Sequence, residues 1–186
     1  MSLRDRLVVT GVEILERDGP AGLSLREITR RTGVSHGAPR RYFPTHNALL
    51  VAIAATGLAD LVSELAPILT NVGEPPRQRL VSLGVSYVRF AARRPAMFEL
   101  MFRHDLLEGA GSNLRETSLP LFEALARLVA DATDGRDGAR ERALGLFTNV
   151  HGAAVLTAGR GLELVGGSSD IHDLLTRAVQ AHLNAP

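Results

Sequence analysis

The sequence predicts an all-helical chain with a basic module at its N-terminal end, and three observations carry that prediction. Apolar residues recur at helical spacing along the whole length, with no run that alternates as a strand does. Ser24 to Phe43 reads as two short helices joined at Gly33-Val34, with five arginines against one glutamate. The charge is segregated as well. Residues 20–47 carry Arg26, Arg30, Arg31, Arg40 and Arg41 against Glu27, a net of +4, while residues 48–186 carry 13 arginines against 15 acids, a net of −2. A basic module on an otherwise slightly acidic chain is the pattern expected when only one end meets phosphate.

Leu3 to Asp18 forms the first expected helix, with Leu3, Leu7, Gly11 and Ile14 on one face and Gly19-Pro20 as its stop. The next opens on Ser24, and Glu27 three residues on completes the pattern of a reciprocal capping box. Leu25, Ile28 and Thr32 share its inner stripe, leaving Arg26, Arg30 and Arg31 around the rest. Gly33 suits the left-handed end of that helix, and Val34 turns into the core. Ser35 is expected to cap a second helix, whose first residues would face the floor of a DNA major groove. Pro39 lies only four residues past that cap, so a local, tolerated distortion is expected there.

A long helix from about Thr45 to Leu69 follows from Leu50, Ile53, Ala54, Gly57, Leu58, Leu61 and Leu65. Gly73-Glu74-Pro75-Pro76 is a loop. The next helix carries Leu80, Leu83, Val88 and Phe90 and is interrupted at Arg94-Pro95, after which Ala96 to Phe102 is short and apolar. Leu107 to Asn113 is a glycine-rich break. Three further helices are expected at about Leu114–Asp131, Gly138–Leu164 and Asp170–Leu183, separated by Asp134-Gly135 and Gly166–Ser169.

Ser24 to Phe43 resembles the N-terminal domain of the TetR family of bacterial transcriptional regulators, and so does Tyr42-Phe43-Pro44-Thr45 followed by His46-Asn47-Ala48-Leu49-Leu50. The nine helices counted above equal the number that this resemblance implies. The pattern departs from the family at three places: Pro39 stands for a large apolar residue, Arg40 for a tyrosine and His46 for a lysine. Tyr87–Ala91, Arg94–Phe102 and Phe147-Thr148-Asn149-Val150-His151-Gly152 are similar to the WHG-type regulator domain, with Phe147 in place of its tryptophan. The resemblance implies a helix-turn-helix DNA-binding domain over residues 1–47. A long helix would join it to a helical ligand-binding and dimerisation domain over residues 48–186. The DNA-contacting residues it implies are Ser24, Arg26, Ser35, His36, Gly37, Ala38, Arg40, Arg41, Tyr42 and His46, with Arg41 facing bases and Arg40 at a phosphate-contacting position. The partners it implies are a palindromic double-stranded operator, a small effector and a second copy of the chain. The expected activity is repression relieved by the effector.

Bulky, adaptable side chains near helix interruptions are the candidate effector contacts: Phe98, Met101, Phe102, Phe122, Leu125, Phe147 and, within an apolar helix, His151. Leu144, Phe147, Ala154, Val155, Leu174, Leu175, Ala178 and Val179 are the candidate dimer surface. Catalysis is not expected. Gly159-Arg160-Gly161 lacks a third glycine and a preceding strand, and the 166–169 loop lacks the lysine of a phosphate loop. His104-Asp105 and His172-Asp173 diverge on a helix, so no metal or cofactor is expected. The absence of cysteine fits a reducing cytoplasm, and no stretch is expected to span a bilayer. Two alternatives stay open, a helical interaction adaptor with a vestigial helix-turn-helix and a DNA binder without sequence preference.

Overall fold

A serine and an aspartate start the first helix. In the computed structural model, which describes residues 1–35, 37–103, 114–135, 137–166 and 170–184, Ser2 Oγ accepts the Asp5 N–H and Asp5 Oδ2 accepts the Ser2 N–H, each at 3.1 Å. Helix α1 (Leu3–Asp18) follows, buries Leu7, Ile14 and Leu15, and stops at Gly19, whose φ of 72° is open to glycine. A 3₁₀ turn at Pro20–Gly22 leads into α2 (Leu25–Thr32), and Gly33 closes α2 in the left-handed region. Ser24 caps α2 as expected, accepting the Glu27 N–H at 3.2 Å. The reciprocal half of the box is not made, because the Glu27 carboxylate accepts from Arg30 and Arg31 instead.

The expected second helix is the main local departure. Between Gly33 and Thr45 the described residues hold only a four-residue 3₁₀ helix, Ala38–Arg41. An α-helix capped by Ser35 would bond the N–H of residue 39 to the Ser35 carbonyl, and Pro39 has no N–H. The Ser35 carbonyl accepts from Ala38 at 3.0 Å, one residue earlier, which sets the tighter winding. Tyr42 and Phe43 then both donate to the Pro39 carbonyl, at 2.9 and 2.8 Å. Ser35 therefore acts through its carbonyl, and Gly37 stands at the cap position with no side-chain bond.

Helix α3 (His46–Thr70) starts where Thr45 Oγ1 accepts the Ala48 N–H. Its stripe of Leu50, Ile53, Ala54, Leu58, Leu61 and Leu65 is buried as the spacing predicts. By length and composition α3 could cross a bilayer, contrary to the expectation of no such stretch. Here 56% of its most apolar window is buried inside the protein. Helices α4 (Pro76–Arg93) and α5 (Pro95–Met101) come next, then α6 (Arg115–Ala132), α7 (Ala139–Ala158), α8 (Gly161–Gly166) and α9 (Ile171–Asn184). The described residues thus hold nine α-helices and no strand, in an all-helical architecture. One expected helix became a 3₁₀ turn, while the one expected over 138–164 is two, broken where Gly159 ends α7 and Arg160 takes a φ of 57°.

The chain forms two compact units. Met1–Ala59 and Arg94–Leu114 make the first, and Asp60–Arg93 and Arg115–Pro186 the second. In the first, glycines let helices approach closely: a Cβ at Gly11 would lie 2.4 Å from Ile53 Cδ1, and one at Gly57 would lie 2.5 Å from Met97 Cγ and Sδ. In the second, α4, α6, α7 and α9 pack on one another. The buried Arg79 of α4 donates to the Ile68 and Leu69 carbonyls, which α3 leaves without intrahelical partners, so a cation closes the negative end of that helix. Ala154, Leu175, Ala178 and Val179 belong to the core of this unit, with Leu175 fully buried, and so cannot form a dimer surface. Leu144 and Val155 remain exposed, at 55% and 50%.

Adding a methyl group at Gly57 tests the close seating of α5 on α3. Gly57→Ala should lower stability by about 1–3 kcal/mol, the usual cost of overpacking, and urea unfolding should show it. An unchanged midpoint would mean that Met97 and Met101 yield without cost.

Candidate nucleic-acid interface and aromatic cluster

The sequence places five arginines in the basic module, and the fold divides them into two groups. Arg30 chelates Glu27 through Nε and Nη2, at 2.8 and 2.7 Å, and Arg31 reaches Glu27 at 2.6 Å and Asp18 at 3.1 Å. Arg17 completes the network on Asp18. The hydrogen bond from Arg30 holds the Glu27 carboxyl below its ordinary range, and that from Arg17 does the same for Asp18. Arg26, Arg40 and Arg41 are the second group. All three are exposed and make no ion pair among the described residues.

Ser24, Ser35, Gly37, Tyr42 and His46 are also exposed, while Ala38 is half-buried and Pro39 buried. His36 lies outside the described residues, as do His104, Asp105 and the breaks at 107–113 and 167–169. Of the adjacent aromatics, Tyr42 is 44% exposed and Phe43 is 3%. One faces solvent and the other anchors the turn. The unpaired guanidiniums, each with its N–H donors, can bind phosphate oxygens or the edge of guanine.

The seven candidate effector contacts separate into two groups. Phe98 and Met101 are buried on α5 in the first unit, with the Phe102 ring 5.0 Å from that of Phe98. Phe122, Leu125, Phe147 and His151 belong to the second unit, where all four are half-buried. Phe147 stacks on His151 at 5.6 Å and meets Phe122 edge-on at 6.4 Å. Two residues not foreseen complete this cluster. Tyr87 of α4 places its ring 6.2 Å from Phe147 and its hydroxyl 2.9 Å from His151 Nδ1. Arg140 lies over the Phe122 ring at 5.1 Å.

The signal for Tyr87 was present in the sequence. It falls on the same helical stripe as Leu80, Leu83, Gly84 and Ala91, all buried, and a phenol on such a stripe needs a polar partner. His151 is the matching polar group on an apolar helix. Burial pushes the Tyr87 phenol well above its ordinary value and holds the His151 imidazole below its own. The pair is therefore neutral near pH 7. An aromatic wall with a neutral hydrogen-bonded pair suits an apolar or aromatic molecule bearing few charges.

Residues 7–53 match the family model described as bacterial regulatory proteins, tetR family, and residues 80–182 match that of the tetracyclin repressor-like C-terminal domain. A protein of unknown function from Rhodococcus sp. RHA1 has a structure similar to this chain, at a TM-score of 0.82 and 32% identity over 98% of this chain and 94% of that one. A TetR-like transcriptional regulator from the same organism is similar in fold, at a TM-score of 0.72 and 18% identity, covering 100% of this chain and 98% of the other. The nucleoid occlusion factor SlmA of Marinobacter nauticus is 27% identical over 144 residues, 76% of this chain and 73% of the relative.

Neutral burial of His151 has a consequence for stability. Its folded-state pKa is below the unfolded one, so the unfolded chain binds more protons as the solution is acidified. The stabilisation is complete above the ordinary histidine value of about 6.5 and is lost as pH falls through the lower folded-state value. The Tm should drop on acidification from neutral pH, and His151→Gln should show a smaller drop. Parallel pH profiles for the two proteins would contradict this assignment.

Proposed function

Since the chain belongs to the TetR family of bacterial regulatory proteins, and so is a DNA-binding transcriptional regulator rather than an enzyme, we propose that it is a dimeric repressor released from a palindromic operator by a small, largely apolar effector. The observation that carries the DNA-binding half of this reading is the set of exposed, unpaired guanidiniums at Arg26 of α2 and at Arg40 and Arg41 within the Ala38–Arg41 turn. Arg41 serves as the base reader and Arg40 as a phosphate contact, with Ser24, Ser35, Gly37, Tyr42 and His46 bordering the backbone. Two such modules reach one face of a duplex when their spacing is near one turn, about 34–36 Å, or a multiple of it.

The effector site in this reading is the cluster of Tyr87, Phe122, Leu125, Phe147 and His151, and its finer assignment to the WHG type rests on the sequence from Phe147 to Gly152. Leu144, Val155 and Leu156, exposed on α7, are the dimer contact. The chain passes from the first unit to the second within α3 and returns between Arg93 and Arg94. Arg93 is paired with Glu64 in the second unit and Arg94 with Glu16 of α1 in the first. A change in the effector unit thus reaches α1 and α5 through a short, doubly anchored stretch of backbone, with Phe98, Met101 and Phe102 as relay rather than lining. Moving the protein from roughly 1:99 to 99:1 released requires the effector to favour the released state about 10⁴-fold, ~5.5 kcal/mol. A second reading draws support from the likeness to a nucleoid occlusion factor, namely a chromosome-bound factor of that kind.

Selection of bound duplexes from a random pool, with and without a metabolite extract, separates these readings. A repressor should prefer a palindrome over bulk DNA by roughly 10³ or more and release it in the extract. Enrichment of sites without an effector response would favour the chromosome-bound factor, and uniform recovery of all sequences would reject both. On the selected site Arg41→Ala should cost about 1–3 kcal/mol and relax preference at one base pair. Arg40→Ala should weaken all sequences alike. The two phenylalanines should differ too: Phe98→Ala should cost about 3–5 kcal/mol of stability as a packed residue. Phe122→Ala should cost less in thermal melts and alter the effector response.

A further inference from the structure

Two arginines of α1 lie outside the helix-turn-helix, yet both are held against it. The guanidinium carbon of Arg4 stands 5.5 Å above the centroid of the Phe43 ring. That ring is buried, and the Phe43 N–H bonds the Pro39 carbonyl, so Arg4 is fixed to the turn that carries Arg40 and Arg41. Arg6 donates from Nη2 to the Thr32 carbonyl at 2.9 Å, at the last residue of α2. Thr32 precedes the recognition segment and Phe43 follows it. The first turn of α1 therefore brackets residues 33–42 with a cation at each end.

Both side chains keep donors for a ligand. A guanidinium has five N–H groups; Arg6 has committed one of them, and Arg4, held by its contact with the Phe43 ring, makes no hydrogen bond or ion pair among the described residues. Both residues are exposed. The carboxylates of α1 are largely engaged elsewhere: Asp5 with Ser2, Glu16 with Arg94, and Asp18 with Arg17 and Arg31. Glu13 is two turns further along the helix.

The geometry points to Arg4 and Arg6 as backbone-phosphate contacts, one on each side of the segment that enters the groove. This inference rests on the DNA-binding reading above. It also supplies affinity that a four-residue turn, with few side chains to offer to bases, would otherwise lack. These contacts carry no base preference, so they strengthen binding to every sequence.

The test is a salt titration of the full chain against a fluorescent mixed-sequence duplex, with Arg4→Gln, Arg6→Gln and Arg4→Lys. Each lost phosphate contact should flatten the log-affinity against log-salt slope by about 0.9, so that the affinity drop between about 50 and 200 mM salt shrinks roughly 3.5-fold per contact. Arg4→Lys, which keeps the charge, should retain the original slope. Unchanged slopes in both glutamine variants, with the unaltered protein binding normally, would overturn the inference and leave the DNA-binding reading intact. Failure of the unaltered protein to bind any duplex would overturn both. Should a glutamine variant not fold, labelling of the unaltered protein with phenylglyoxal decides: bound DNA should shield Arg4 and Arg6, and undiminished labelling at both would overturn the assignment.

Discussion

The need to bury the apolar face of α3 governs the rest of this fold. The helix is 25 residues long, and Leu49, Val51, Ile53 and Ala54 are completely buried, with Leu61 at 1% exposure. Each such large aliphatic side chain contributes about 1.5–3 kcal/mol relative to exposure, so the neighbours of α3 are set by what can reach it. Gly11 and Gly57 open that access by omitting the atoms that would collide with Ile53 and Met97. The position of α1 and the seating of α5 both follow. Through α1 the constraint extends to the segment between α2 and α3, where Arg6 bonds the Thr32 carbonyl and Arg4 lies over the Phe43 ring.

Charge within the basic module is distributed by a competition at Glu27. Its carboxylate could have returned to the Ser24 amide, and instead it accepts from two guanidiniums. Charge-assisted bonds between ionised groups are roughly twice as strong as neutral ones, and a bidentate arginine adds a second contact at once. Arg30 and Arg31 are tied to the scaffold, and the arginines of the module left without an ion pair among the described residues are Arg26 at the start of α2 and Arg40 and Arg41 in the 3₁₀ turn.

Among the described residues of the second unit, buried polar side chains are few, Arg79, Thr133 and Tyr87 among them, and their placement is correspondingly specific. Tyr87 and His151 satisfy each other across α4 and α7 at 2.9 Å. That bond replaces a water partner lost on burial, and leaving a buried polar group unsatisfied costs about 1–3 kcal/mol. The surrounding rings of Phe122 and Phe147 make the environment apolar enough to keep the histidine neutral.

Helix positions were largely legible in the sequence, because capping residues, glycine stops and 3.6-residue periodicity act over a single turn or two. Leu3–Asp18 was readable to the residue, and the buried stripe of α3 from Leu50 to Leu65 was readable by spacing alone. The winding of residues 38–41 was only half legible: Pro39 announces a missing donor, but the choice of Ala38 as the replacement depends on local backbone geometry. The candidate interface was legible as a density of arginine, though not which arginines remain unpaired. That depended on Asp18 of α1 and Glu27 of α2 meeting around Arg31. Likewise Ala154, Leu175, Ala178 and Val179 looked equally suited to a core or to a dimer contact, since apolarity marks burial without naming the partner. Sequence by itself thus determined the helices, their apolar faces and the basic module, all products of short-range order. Only tertiary structure decided which charges are neutralised, which apolar faces are covered and that Tyr87 meets His151, because those outcomes join residues far apart in the chain, 64 positions for Tyr87 and His151 and 78 for Glu16 and Arg94.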